Sequence, residues 1–116
     1  MNTSTITINV ELDEGRVPQR ISWQATESTA VRSQEAKAFI LSFWDSAEKT
    51  AFRIDLWTKK MMVDEMADFY FQTLMTMADT FERATQQKEL VDDMKNFTRQ
   101  FYNKFRELQI KENKAG

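Results

Sequence analysis

The chain has 116 residues and a mass of 13.7 kDa, with no Cys, no His, two Gly and one Pro. Its 16 Lys and Arg stand against 18 Asp and Glu, which gives a formal charge of −2 and a pI near 5.2. These counts exclude a disulfide framework, a thiolate nucleophile, a thiolate zinc site, a near-neutral imidazole and the glycine-rich phosphate loops, and the charge speaks against general nucleic-acid binding. What remains is a soluble binding or assembly domain with no cofactor expected. A chain of this mass can bury roughly two-thirds of its unfolded surface, enough for one domain with a core. Three Trp, two Tyr and nine Phe set it apart from disordered compositions. The N-terminal Met1-Asn2-Thr3-Ser4-Thr5-Ile6 lacks the basic-then-apolar pattern of a secretory signal. The longest apolar run, Ala38–Leu41 with Phe43-Trp44 beyond Ser42, is far short of the ~20 residues that span a bilayer. No membrane insertion is therefore expected, and a cytoplasmic location is.

In chain order, residues 4–12 alternate strictly: Ile6, Ile8, Val10 and Leu12 on one face, Thr5, Thr7, Asn9 and Glu11 on the other. Period two with β-branched residues predicts a half-buried strand. Asp13-Glu14-Gly15-Arg16 reads as a turn, with Gly15 able to take positive φ. After Pro18, which belongs at a strand start or edge, residues 19–25 predict a second strand with Ile21, Trp23 and Ala25 inward. The polar stretch Thr26–Glu35 reads as a loop. Residues 36–45 are ambiguous. Ala36 and Lys37 favour helix, but Phe39-Ile40-Leu41-Ser42-Phe43-Trp44 is aromatic, β-branched and short. We read 36–45 and 50–58 as a hairpin around Asp45–Lys49, with a helix over 36–45 as the alternative. Phe52, Ile54 and Leu56 then face inward, Arg53, Asp55 and Trp57 outward.

Helices are expected over 62–85 and 87–110. Val63, Met66, Ala67, Tyr70, Leu74, Met77, Ala78 and Phe81 recur at three and four, with Phe69, Phe71 and Met75 off that stripe. In the second helix Leu90, Met94, Phe97, Phe101, Phe105 and Leu108 form the stripe. Thr85-Gln86-Gln87 between them has neither Gly nor Pro, so one long kinked helix is also compatible. Residues 111–116 read as a flexible tail. No internal repeat is seen. The expected fold is α+β, a four-stranded antiparallel meander followed by two helices (ββββαα).

The charged clusters offer little chemistry. Asp64, Glu65 and Asp68 could be hard-metal ligands, but an acidic first helical turn is ordinary. Asp45 and Glu48 lack the spacing of a calcium loop, and Arg53 with Asp55 reads as a surface pair. No base is present to activate a Ser or Thr. The chain is therefore not expected to be an enzyme. The apolar surplus says more. Strand 36–45 is apolar on both faces, and one helix cannot bury two sides alone. Ile40, Trp44, Trp57, Phe69, Phe71 and Met75 are the candidate protein-binding residues, and self-association is expected.

Several blocks carry a family resemblance: Glu11-Leu12-Asp13-Glu14-Gly15-Arg16-Val17-Pro18, Ile21-Ser22-Trp23, Glu35-Ala36-Lys37-Ala38, Leu41-Ser42-Phe43-Trp44-Asp45, Arg53-Ile54-Asp55-Leu56-Trp57-Thr58-Lys59, Val63-Asp64-Glu65-Met66, Gln72-Thr73-Leu74 and Thr80-Phe81-Glu82-Arg83-Ala84-Thr85. Together, over about residues 6–105, they resemble the GldC family of gliding motility proteins. Met62 stands where that family is expected to have Pro. The resemblance implies a cytoplasmic accessory protein of gliding and type IX secretion that binds a protein partner in the gliding machinery. It supplies no catalytic or binding residues. The order of four strands and two helices is also similar to the export chaperone SecB, which implies an alternative role as a holder of unfolded clients.

Overall fold

Strict alternation between Ile6 and Leu12 leads directly to the first strand of the computed structural model, which describes residues 2–27 and 30–115. The chain is α+β: among the described residues five strands, β1 (Ile6–Leu12), β2 (Pro18–Ala25), β3 (Gln34–Ala36), β4 (Ala38–Asp45) and β5 (Thr50–Trp57), precede two helices, α1 (Val63–Thr85) and α2 (Lys88–Ala115). Contacts cluster into two units, Met1–Met61 and Met62–Gly116, and each is described in turn.

In the first unit the expected four-stranded meander is replaced by two antiparallel sheets, β1-β2-β3 and β4-β5. Nothing in this arrangement supports a SecB-like sheet. The expected strand 36–45 is indeed extended, not helical, but it breaks at Lys37. Ala36 pairs with Ile21 of the first sheet, while Ala38 pairs with Trp57 of the second. The Lys37 carbonyl accepts the Thr58 N–H at 2.8 Å, which fixes the crossing point. The polar loop also ends earlier than expected, because Gln34 and Glu35 pair with Trp23 and Ser22; its residues 28 and 29 lie outside the described residues.

The face assignments read from alternation hold. Register places Ile6, Ile8 and Val10 opposite Ala25, Trp23 and Ile21 on one face of the first sheet. Ile21, on the central strand, is buried. The β1–β2 turn differs from expectation: Arg16 takes positive φ, at 63°, and Gly15 does not. The cause is the Asp13 side chain. Its Oδ1 accepts the N–H groups of Gly15 and Val17 at 2.9 and 3.0 Å, and the Asp13 carbonyl accepts that of Arg16 at 2.9 Å. Those bonds dictate the turn, and Arg16 carries the left-handed residue. Asp13 Oδ2 also pairs with Lys59 Nζ at 2.5 Å. The Lys59 ammonium first, then the Val17 and Gly15 amides, hold the Asp13 carboxyl below its ordinary range.

In the second unit α1 starts without a proline. Met62 is extended, at φ −88° and ψ 158°. Its N–H donates to Glu65 Oε1 at 3.0 Å, a bond that a proline at this position would lack. α1 ends at Gln86, left-handed at φ 56° and ψ 27°, whose N–H donates to the Glu82 carbonyl at 2.8 Å. The chain therefore makes two separate helices. α2 runs to Ala115 where a tail from Lys111 was expected, since neither Gly nor Pro stands before Gly116 to stop it. The helices are antiparallel. Phe71 packs on Tyr102 with ring centroids 4.8 Å apart, and Lys95 pairs with Asp79 at 2.7 Å. Ala78, Val91 and Thr98 are buried along this seam.

Three outcomes test these assignments. Ile21→Ala should lower stability by about 2–4 kcal/mol in urea denaturation, the usual range for a large buried aliphatic. Gln86→Gly should raise stability by about 0.5–1 kcal/mol, because glycine removes the Cβ penalty of the left-handed cap. Asp13→Asn concerns acid stability. A depressed carboxylate stabilises the fold above its unfolded pKa and loses that effect as pH falls through the folded one. Wild type should therefore lose stability below about pH 4 more steeply than the Asn variant, read from urea midpoints across a pH series.

Candidate protein-binding surface

Of the expected binding residues, Ile40, Trp44 and Trp57 lie on β4 and β5, and Phe69, Phe71 and Met75 lie on α1. The two groups belong to different units. Pairing puts Ala38/Trp57, Ile40/Asp55, Ser42/Arg53 and Trp44/Ala51 on one face of the β4–β5 sheet. Trp44 and Trp57 are 67 % and 57 % exposed, as expected of an outward face. They do not form one patch. Six residues of strand separate the two ends, about 20 Å, and the Arg53–Asp55 ion pair, 3.0 Å long, lies between them. Ile40 is half-buried.

The opposite face holds Phe39/Leu56, Leu41/Ile54 and Phe43/Phe52. Alternation assigned Phe52, Ile54 and Leu56 inward, and they share this face with Phe39, Leu41 and Phe43. Cover is graded along it. Phe39, Leu41 and Leu56 are half-buried, whereas Phe43 and Phe52 are 58 % and 52 % exposed and Ile54 is similar. The distal end of the β4–β5 hairpin is thus apolar and open: Phe43, Phe52 and Ile54 on one side, Trp44 on the other. Phe43, Phe52 and Ile54 were missed because period two says which residues share a face but not whether another layer covers it. The signal that could have found them was the doubly apolar strand itself.

On α1, Phe71 points at Tyr102, and Met75, one turn on, is half-buried. Phe69 is half-buried and makes an edge-on ring contact with Tyr70 at 6.3 Å. Phe71 and Met75 therefore belong to the inter-helix seam side of α1. By contrast Val63, Tyr70, Met77 and Phe81 of the expected core stripe are exposed.

The acidic clusters serve local structure. Asp64 Oδ1 accepts the Glu65 N–H at 3.0 Å, Glu65 caps Met62, and Asp68 accepts the Tyr102 hydroxyl at 2.5 Å. That bond, with desolvation second, raises the Tyr102 pKa. Asp45 Oδ1 accepts the N–H groups of Ala47 and Glu48 at 2.9 and 3.1 Å, which shapes the β4–β5 turn. Among the described residues no group of three acidic side chains is placed to hold a metal ion, and no helix is long and apolar enough to cross a membrane.

Lys59, in the Arg53–Lys59 block, reaches Asp13, in the Glu11–Pro18 block, so two of the distinctive sequence blocks meet in space. No curated protein and no solved structure matches the chain. A family model described as gliding motility-associated protein GldC-like matches residues 18–107, from the first residue of β2 to the last turns of α2. The chain belongs to the GldC-like family of gliding motility-associated proteins.

Proposed function

We propose that this chain is a non-enzymatic, cytoplasmic accessory protein of bacterial gliding and type IX secretion, and that it acts by binding a protein partner through the distal end of the β4–β5 hairpin. The family supports the association with gliding. The observation that carries the binding mode is the exposure of Phe43, Phe52 and Ile54 on a two-stranded sheet. Clustered exposed aromatics are characteristic of interaction sites. Among the described residues this sheet has two strands, so each of β4 and β5 has one side toward which a partner segment could extend it. A partner with an extended apolar or aromatic segment fits both features.

Joint replacement of Phe43 and Phe52 by Ser in the native gene tests this. Both side chains are more than half exposed, so folding should change by no more than about 1 kcal/mol. Spreading by gliding should fall, with protein level and circular dichroism as in wild type. Unchanged spreading rejects the hairpin as the site. Suppression of aggregation of several unrelated unfolded proteins by the purified chain would favour the chaperone role instead.

A further inference from the structure

The apolar ladder on the helical hairpin has a symmetry of its own. On α1, Tyr70, Leu74, Met77 and Phe81 are spaced by four, three and four. On α2, Leu90, Met94, Phe97 and Phe101 are spaced by four, three and four as well. Tyr70, Met77, Leu90 and Phe97 precede the seam residues Phe71, Ala78, Val91 and Thr98 by one, and Phe101 precedes Tyr102. One step back along a right-handed helix turns the side chain by about 100°. In two antiparallel helices with seams facing each other, that step turns both sets to the same side of the pair. The two ladders therefore share one face. Running in opposite directions, they align as four rungs: Tyr70 by Phe101, Leu74 by Phe97, Met77 by Met94, and Phe81 by Leu90.

This face holds more apolar bulk than the seam beside it. The seam combines small or polar groups, Ala78, Val91, Thr98, the Asp79–Lys95 pair and the Tyr102–Asp68 bond, with half-buried Met75 and the Phe71–Tyr102 contact as its larger apolar part. On the ladder Phe97 is 60 % and Met77 is 52 % exposed. No charged residue occupies any of the eight ladder positions. A shallow, open depression of about 370 Å³ lies beside it on α1, lined by Thr76, Met77, Thr80, Phe81 and Ala84.

We propose that the occupant of this face is the same face of a second copy of this chain, so that two hairpins close into a four-helix bundle. Three observations favour a copy over an unrelated partner. The rungs have a local two-fold symmetry, so the face is complementary to itself in spacing, as an isologous contact requires. The four-three-four spacing is that of a left-handed bundle seam. The area also suffices: the ladder leaves on the order of 700 Å² open per copy, and two copies would bury about 1,400 Å², within the range of specific interfaces. The proposal stands apart from the β4–β5 hairpin and does not depend on the gliding role.

Sedimentation velocity of the full chain tests it, alongside Phe97→Asp and, on the β-hairpin, Trp44→Ser. A dimer is expected at about 100 µM. Phe97→Asp should weaken it about thirtyfold or more, the cost of losing a central anchor, with helical circular dichroism retained, and Trp44→Ser should leave it intact. A monomeric wild type, a dimer indifferent to Phe97→Asp, or one dissolved by Trp44→Ser alone overturns the proposal. If Phe97→Asp loses helicity, thiol labelling decides, since the natural chain has no Cys. Labelling of Met77→Cys should slow as concentration rises, while that of Asn103→Cys, two residues past Phe101 on α2, should not. Equal rates at all concentrations for Met77→Cys overturn the proposal.

Discussion

Lys37 is the residue on which the first unit turns. Its neighbours commit to different sheets: Ala36 to Ile21, and Ala38 to Trp57. A continuous strand would have joined all the others into one sheet, with one face shared and covered together. The break leaves β4 and β5 as a two-stranded sheet. Such ribbons have little internal stability in water and depend on what packs on their faces. Here the packing is partial. Phe39 and Leu56 are half-buried near the crossing point, and cover falls away toward Phe43 and Phe52. The exposed aromatic end lies at the far end of this two-stranded sheet from the break. The Lys59–Asp13 pair and the Thr58–Lys37 backbone bond tie the end of β5 back to the β1–β2 turn and to the crossing point.

The second unit shows the same separation of pattern from cover. Both helices carry the apolar stripes their periodicity announces. Only part of each stripe faces the other helix: Ala78 is buried and Leu74, Met94 and Phe105 are half-buried, while Tyr70, Met77, Leu90 and Phe97 are exposed. The seam runs through Ala78 of the α1 stripe and through Phe71, Val91, Thr98 and Tyr102, which lie one residue beyond stripe positions. Small side chains and directional bonds suit that role: Ala78 and Thr98 let the backbones approach, and Lys95–Asp79 and Tyr102–Asp68 set the register. The bond to Asp79 is the first cause that raises the Lys95 pKa. Larger side chains are left on the neighbouring face, where they can meet another surface.

Much of this was legible in the sequence. Alternation named which residues share a face over Ile6–Val10, Ile21–Ala25 and most of β4 and β5, because side chains in a strand must alternate whatever the strand pairs with; it did not foresee the register shift between Glu11 and Leu12. Periodicity located both helices, and the residue blocks identified the family, now supported over residues 18–107. The turn at Asp13 was also visible, though its strained residue was misplaced. Gly15 has the freedom to take positive φ, but the Asp13 carboxylate bonds the amides on either side of Arg16 and puts the left-handed conformation there. Likewise Gln86 ends α1 without the glycine that usually marks such an end.

By itself, then, the sequence determined the two helices and the strands other than β3, which of their residues share a face, the absence of thiol and imidazole chemistry, and the family. These follow from local geometry and composition, which need no knowledge of distant partners. The tertiary structure alone decided that residues 34–45 divide between two sheets, that Phe71, off the main stripe, meets Tyr102 across the helix pair, and that Phe43, Phe52, Met77 and Phe97 stand open to solvent. Those outcomes depend on pairings between residues far apart in the chain, such as Ala36 with Ile21 and Phe71 with Tyr102. A periodic pattern states what a face is made of; only the long-range pairing states what, if anything, covers it.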